Sequence, residues 1–239
     1  MIDRLGFISE AELTELVQNV VVKISAAVDK GEKDPHKNVV DPFSSVFESI
    51  YFQTNMSEWL EKEKARQIQK SFQNAIGDFH QRVLGRVEGW QDLRVGSVAD
   101  LVNHEMKIIA EIKNKHNTTK GSDKVRIYDG LAALLGRKEY RGYTAYYVEV
   151  IPKTPKRINK PFTPSDNTTK AQRVANESIR LVDGAMFYEV ATGRRDALRE
   201  LYAVLPSYVG LCCQQTSLTA EADPEFMNLF DKAFGVDNK

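Results

Sequence analysis

Cysteine is nearly absent. The only two, Cys212 and Cys213, are adjacent in a chain of 239 residues. Neighbouring cysteines make a poor disulfide, and two thiols with four scattered histidines cannot close a structural zinc site. Long apolar runs are missing as well: nothing approaches the ~18 residues a membrane span needs. Met1 to Gly6 holds no apolar signal-peptide core. The expectation is a cytoplasmic protein with no membrane partner. Internal repeats and low-complexity segments are also lacking. What remains is ordinary: 42% hydrophobic and 28% charged residues, the balance of a globular chain. A chain of this length buries roughly 70–75% of its unfolded surface and needs no covalent staples.

An excess of either charge sign is lacking overall, with 33 basic and 33 acidic residues. The distribution is uneven. Lys107–Arg173 carries 15 Lys/Arg against 6 Asp/Glu, a net of +9, and the rest of the chain carries the balancing −9. A basic middle in a neutral chain suits an anionic partner, nucleic acid above all, or equally a solvated basic face.

The first ninety residues read as helical. Ser9 and Glu12 form a capping-box signature that opens a helix over Glu10–Asp29. Lys30–Asn38 is a polar break. Asp41-Pro42 starts a second helix to Phe52. Ser57 is the expected cap of a third, running to about Leu84. Its residues Ala65, Ile68, Phe72, Ile76, Phe79 and Val83 recur at spacings of three and four and are expected in the core.

After Trp90 the pattern becomes strand-like. Val98–Val102 and Lys107–Lys113 are short apolar strands around a turn at Asn103–Glu105. Ser122 caps a helix to about Arg137, with Val125, Tyr128, Leu131 and Leu135 on its inner face. Tyr143–Ile151 is a strong strand with a core tyrosine cluster (Tyr143, Tyr146, Tyr147). A strand–helix–strand crossover makes the two strands parallel. Lys153–Asn167 reads as a basic loop, Lys170–Leu181 as a helix, Ala185–Ala191 as a strand, and Arg195–Leu205 and Pro224–Phe234 as helices. The fold class is α/β (α+β): a helical N-terminal part packed on a mixed β-sheet core.

Chemistry centres on acid-x-Lys triplets. Roughly three are expected by chance, and three occur: Glu105–Lys107, Glu111–Lys113 and Asp237–Lys239. Only Glu111 ends an apolar strand. Residues two apart on a strand share a face, so Glu111 and Lys113 point the same way. A hairpin turning near Glu105-Met106 sets residue 100 opposite 111 and 102 opposite 109. Asp100, Glu111 and Lys113 then converge. Ala99, Leu101, Ala110 and Ile112 face the other side. Two carboxylates beside a lysine suit Mg²⁺ and a phosphate substrate. The bland alternative is a hairpin whose acids merely pair with Lys113 or Lys115.

Asp100, then Glu111-Ile-Lys113 on the next strand, then a crossover, resembles the PD-(D/E)xK nuclease superfamily. Ala110–Thr118 resembles more narrowly the type II restriction endonucleases that cleave GGNCC. So do the stretch from Trp59 through Gly77–Gln81 to Gly89-Trp90, and Asp183–Gly193. The resemblance spans roughly residues 45 to 205. It implies one endonuclease domain over 1–239: a helical part at 1–90, a catalytic core of restriction-endonuclease-like type at 91–205, and a helical extension at 206–239. It implies a homodimer that cuts both strands of palindromic double-stranded DNA with Mg²⁺, and a functionally linked DNA methyltransferase. Asp100 and Glu111 would be metal ligands and Lys113 the catalytic lysine. Ala99 stands where the superfamily often has proline.

Candidate DNA contacts are Lys115, His116 and Asn117 at the end of the catalytic strand, and Lys153, Lys156, Arg157 and Lys160 in the basic loop. Arg157, Arg173, Arg194 and Arg195 are candidates for reading guanine. His80 and Gln81 are expected to pack or support. The alternatives to a restriction endonuclease are a structure- or damage-directed repair nuclease of the same fold, a non-catalytic DNA-binding protein, and an interaction protein with a basic patch.

Overall fold

The Ser9 amide and hydroxyl both donate to the Glu12 carboxylate, and the Glu12 amide donates back to Ser9 Oγ. This closed capping box opens α1 (Glu10–Lys33). The structure, a computed structural model, describes residues 5–33, 40–93, 97–166, 169, 171–214 and 224–235. Helix α1 runs through the first part of the expected polar break; residues 34–38 of that break lie outside the described residues, as does Asp237–Lys239. Helix α2 (Pro42–Tyr51) starts at Asp41, whose carboxylate accepts from the Phe43 amide. Helix α3 (Met56–Leu84) is capped by Asn55 rather than Ser57, in a reciprocal box with Glu58.

The expected stripe on α3 is only half right. Phe79 and Val83 are buried, Ile68 and Phe72 are half-buried, and Ala65 and Ile76 are exposed. The C-terminal half of α3 reaches the sheet, where Phe79, Val83 and Leu84 join the main core, whereas the N-terminal half runs out beyond it.

Six strands form one mixed sheet: β1 (Trp90–Asp92), β2 (Leu101–Asn103), β3 (Ile108–Lys115), β4 (Thr144–Ile151), β5 (Asn159–Pro161) and β6 (Ile179–Asp183). Their order is β1-β2-β3-β4-β6-β5. The hairpin register is the expected one: Leu101 pairs with Ala110, Val102 with Ile109 and Asn103 with Ile108. The turn spans His104–Lys107. Strand β4 runs parallel to β3, and helix α4 (Gly121–Leu135) crosses between them. Lys120, not Ser122, holds the cap position of α4.

The sheet separates two cores. On one face α1, α3, α5 (Gly184–Thr192) and α6 (Ala197–Cys212) cover Leu101, Ala110, Ile112 and Val148. On the other face α4 covers Val102, Ile109, Ala145 and Tyr147 through Tyr128, Leu131 and Leu134. Ala99 departs from its expected side. It packs in the α4 core, because the chain leaves the ladder before Leu101.

Three expected elements change type. Residues 171–178 form no helix, and Ile179–Asp183 is strand β6, held in the sheet between β4 and β5. Within the expected basic loop, Asn159–Pro161 is edge strand β5. Ala185–Ala191 has strand-like composition but lies in α5. Asp183 caps that helix by accepting from the Met186 amide, and Gly193 ends it at φ +70°, the left-handed turn that favours glycine. Gly184 is needed for another reason: a Cβ there would meet the Val150 carbonyl oxygen at 2.5 Å. Helix α6 continues past the expected stop at Leu205, through Pro206. Leu205, Tyr208 and Cys212 stay packed on the core, which offsets the lost helical hydrogen bond. Helix α7 (Glu225–Phe234) follows as expected. Both cysteines are free thiols. Among the described residues no helix is long and apolar enough to cross a membrane.

Candidate active site

Side chains alternate along β3, which fixes the site. Ile108, Ala110 and Ile112 enter the main core, and Ile109 enters the α4 core. Glu111 and Lys113 therefore emerge on the α4 face, at the carboxyl end of a parallel strand, where open α/β sheets place their ligands. Lys113 Nζ lies 2.5 Å from Glu111 Oε1. The Asp100 amide donates at 2.8 Å to the carbonyl of Ala110, the residue already paired with Leu101, so the regular register ends there. The Ile112 amide donates to Asp100 Oδ2 at 2.7 Å. The three residues singled out by spacing stand together.

Glu111 is buried and Asp100 is half-buried. Desolvation is the main force raising the pKa of Glu111, to about 7, and the Asp100 charge adds to it, against the pull of Lys113. Desolvation also raises Asp100, opposed by the Ile112 amide and then by Lys113. A further cation beside the pair favours its fully charged form. Among the described residues no third His, Cys, Asp or Glu completes a metal cluster. Two hard oxygen donors fit an ion that keeps several waters and accepts phosphate oxygens. An open cleft of about 500 Å³ adjoins them, lined by Glu111, Lys113, Thr118, Thr119, Asp123 and Arg126 among others.

Two further residues belong to this face. Glu149 on β4 stands beside Lys113 in the parallel ladder and is buried. Lys124 of α4 forms an ion pair with it and donates to the His116 carbonyl at 3.0 Å. Its ammonium lies 5.6 Å from the Tyr147 ring centroid. Sequence reasoning missed both. The available signal was one acid inside Tyr146-Tyr-Val-Glu-Val-Ile151, an otherwise apolar run.

The structure spreads the remaining candidates. Lys115 lines an apolar cavity of about 450 Å³ on the opposite face of the sheet, beside Asn114. The His116 amide donates to Ile151, and its Nδ1 is buried without a hydrogen-bond partner. Asn117 is exposed in the same turn. Lys153, Lys156 and Lys160 are exposed, Lys160 on edge strand β5. Arg157 pairs with Glu189 at 3.5 Å and donates to the Arg195 carbonyl, which ties the loop to α5 and to the start of α6. Arg173 makes a two-pronged bond to Asp129 of α4, and Arg194 does the same with Glu200. Arg195 is exposed. His80 Nδ1 lies 2.9 Å from the Tyr188 hydroxyl, and Gln81 donates to Asp92, the supporting roles expected of them.

Known proteins are similar to this chain over most of its length. The family model for the Eco47II restriction endonuclease covers residues 5–212. The chain is 40% identical over 237 residues to a protein named type II restriction enzyme Eco47II, from Escherichia coli, covering 97% of this chain and 99% of that one. It is 28% identical over 206 residues to type II restriction enzyme Sau96I, from Staphylococcus aureus, covering 84% and 78% respectively. The chain belongs to the Eco47II restriction endonuclease family: it is a type II site-specific deoxyribonuclease that acts on double-stranded DNA, of a class that uses a divalent metal ion.

Proposed function

We propose that Asp100, Glu111 and Lys113 are the catalytic centre and that Mg²⁺ is the metal. The observation that supports this is the convergence of buried Glu111, half-buried Asp100 and one lysine beside the open cleft on the α4 face. Asp100 and Glu111 are the residues that would hold the ion. When bound, the ion stabilises charge on the scissile phosphate and lowers the pKa of a water. The Ile112 amide fixes the Asp100 carboxylate in place. Lys113 is held by Glu111 where its ammonium orients the attacking water or balances the phosphate charge. Lys124 and Glu149 anchor the turn after β3, which carries Thr118 and Thr119 to the cleft wall.

The substrate in this reading is palindromic GGNCC, cut by a homodimer acting as one domain per chain, in the cytoplasm beside a protecting methyltransferase. Lys115, His116, Asn117, Arg157, Lys160, Arg173, Arg194 and Arg195 remain the proposed DNA contacts. Arg173 and Arg194 are already paired with Asp129 and Glu200, so reading a base requires exchanging a carboxylate for guanine. Digestion of unmethylated plasmid, with mapping of the ends, tests the reading. Discrete Mg²⁺-dependent fragments ending in GGNCC support it. Discrete fragments ending elsewhere overturn the assigned site, and a non-specific smear overturns site-specific cleavage in favour of a repair nuclease.

A further inference from the structure

Helix α2 is amphipathic in the wrong sense for a surface helix. Ser45 is its buried residue, with its hydroxyl donating to the Pro42 carbonyl at 2.7 Å. Phe43 and Phe47 are each 75% exposed, Ile50 74% and Tyr51 81%. Residues 43, 47 and 50 fall at spacings of four and three, so they form one outward stripe. Phe52, just past the helix end, extends it, with its ring edge-on to Tyr51 at 5.0 Å. At about 200 Å² per ring, the four aromatic residues alone expose roughly 600 Å² of apolar surface. That is the top of the range for the largest apolar patch on a monomer, and such patches are often functional.

The charges around the stripe narrow the choice of occupant. Helix α2 contains no lysine or arginine. Glu48, its one acid, accepts from the Trp59 indole at 3.0 Å, and Asp41 is engaged as the helix cap. Lys62 of α3 stands at the border, 5.9 Å from the Phe52 ring centroid. A nearly uncharged aromatic stripe has nothing to offer DNA phosphates or anionic headgroups. It suits its own copy. A two-fold axis brings the same patch face to face without like-charge repulsion. The four rings on each side would bury on the order of 1,200 Å², within the range of specific protein interfaces.

We propose that the outward face of α2 is the surface through which two copies of this chain pair. The proposal rests on the dimeric reading above and gives it a location. It sets the interface on the N-terminal helical part, on a helix that packs against α3.

Sedimentation velocity of the full chain at micromolar concentration tests it, with Phe47→Glu and Ile50→Glu as variants. Both positions are exposed, and the far-UV spectrum checks that each variant folds. The wild type is expected at twice 27.1 kDa, and each folded variant at half the wild-type mass. A wild type that sediments as a monomer, or folded variants that sediment with it as dimers, overturns the proposal. Plasmid cleavage by the same samples keeps the two readings apart. A monomeric wild type that cuts DNA removes the interface and leaves the nuclease. A dimer lost in Phe47→Glu that cuts nothing keeps the interface and removes the nuclease.

Discussion

Lys113 and Glu111 stand two residues apart on one strand face, their ammonium and carboxylate 2.5 Å apart. That contact gives each side chain a partner before substrate arrives. It also predicts that they fail separately. Lys113→Met should slow duplex cleavage by roughly 10²–10⁴-fold, the usual range for losing one positioned catalytic group. Binding of a cognate duplex in Ca²⁺ should hold. Single-turnover cleavage and filter binding distinguish the two effects.

The raised pKa of Glu111 contributes one limb of the pH dependence of the metal-free protein. Its carboxyl titrates at 4.5 in the unfolded chain and at about 7 in the fold. Between those values the folded state holds the extra proton, so stability falls as pH rises. In the absence of divalent metal, the thermal stability of the wild type relative to Glu111→Gln should decline from about pH 4.5 to pH 7. Mg²⁺ should reverse that relative decline at the upper end.

His80 works in the opposite sense. Burial drives its pKa down to about 4 beside Tyr188. The unfolded chain therefore takes up a proton before the folded one does. The stability this group contributes is complete above pH 6.5 and is lost as pH falls toward 4. His80→Gln should remove that part of the acid limb, read as a shallower loss of urea stability between pH 6 and pH 4.

Lys124 and Glu149 form a pair whose value lies in being complete. Glu149→Leu strands the Lys124 ammonium beside the core and should destabilise the protein by about 3 kcal/mol. Glu149→Leu with Lys124→Met should lose markedly less. Urea midpoints of the wild type, both single variants and the double variant measure the difference.

Gly184 admits no side chain because the Val150 backbone lies against it. Gly184→Ala must push α5 away from β4 and should cost about 1–3 kcal/mol. Equilibrium unfolding checks this, and a neutral result would show that the contact relaxes freely.

The hairpin that carries the proposed site is legible in the sequence because its information is local. A period of two and a short turn are enough to set residue 102 opposite residue 109, and the ladder has that register as far as Leu101 and Ala110. Strand β6 was not legible. Ile179–Asp183 takes its state from β4 and β5 on either side, partners remote in sequence. Helix α5 was misread because Phe187, Tyr188 and Val190 favour strands, while its start and stop are set by Asp183 and Gly193. Ala99 was misplaced because a strand's alternation ends where its pairing ends. Glu149 was overlooked because its partner Lys124 comes from a separate helix. The aromatic face of α2 needed the structure, since only packing shows that Phe43 and Phe47 look outward.

The central claim is that Glu111 binds the metal on which cutting depends. The most direct measurement is cleavage of a short duplex with one GGNCC site, with and without Mg²⁺, by the wild type and by Glu111→Ala, with duplex binding followed in Ca²⁺. The account predicts Mg²⁺-dependent cutting of both strands by the wild type, and none by a variant that still binds the duplex. Undiminished cutting by Glu111→Ala, or cutting by the wild type in EDTA, would contradict it.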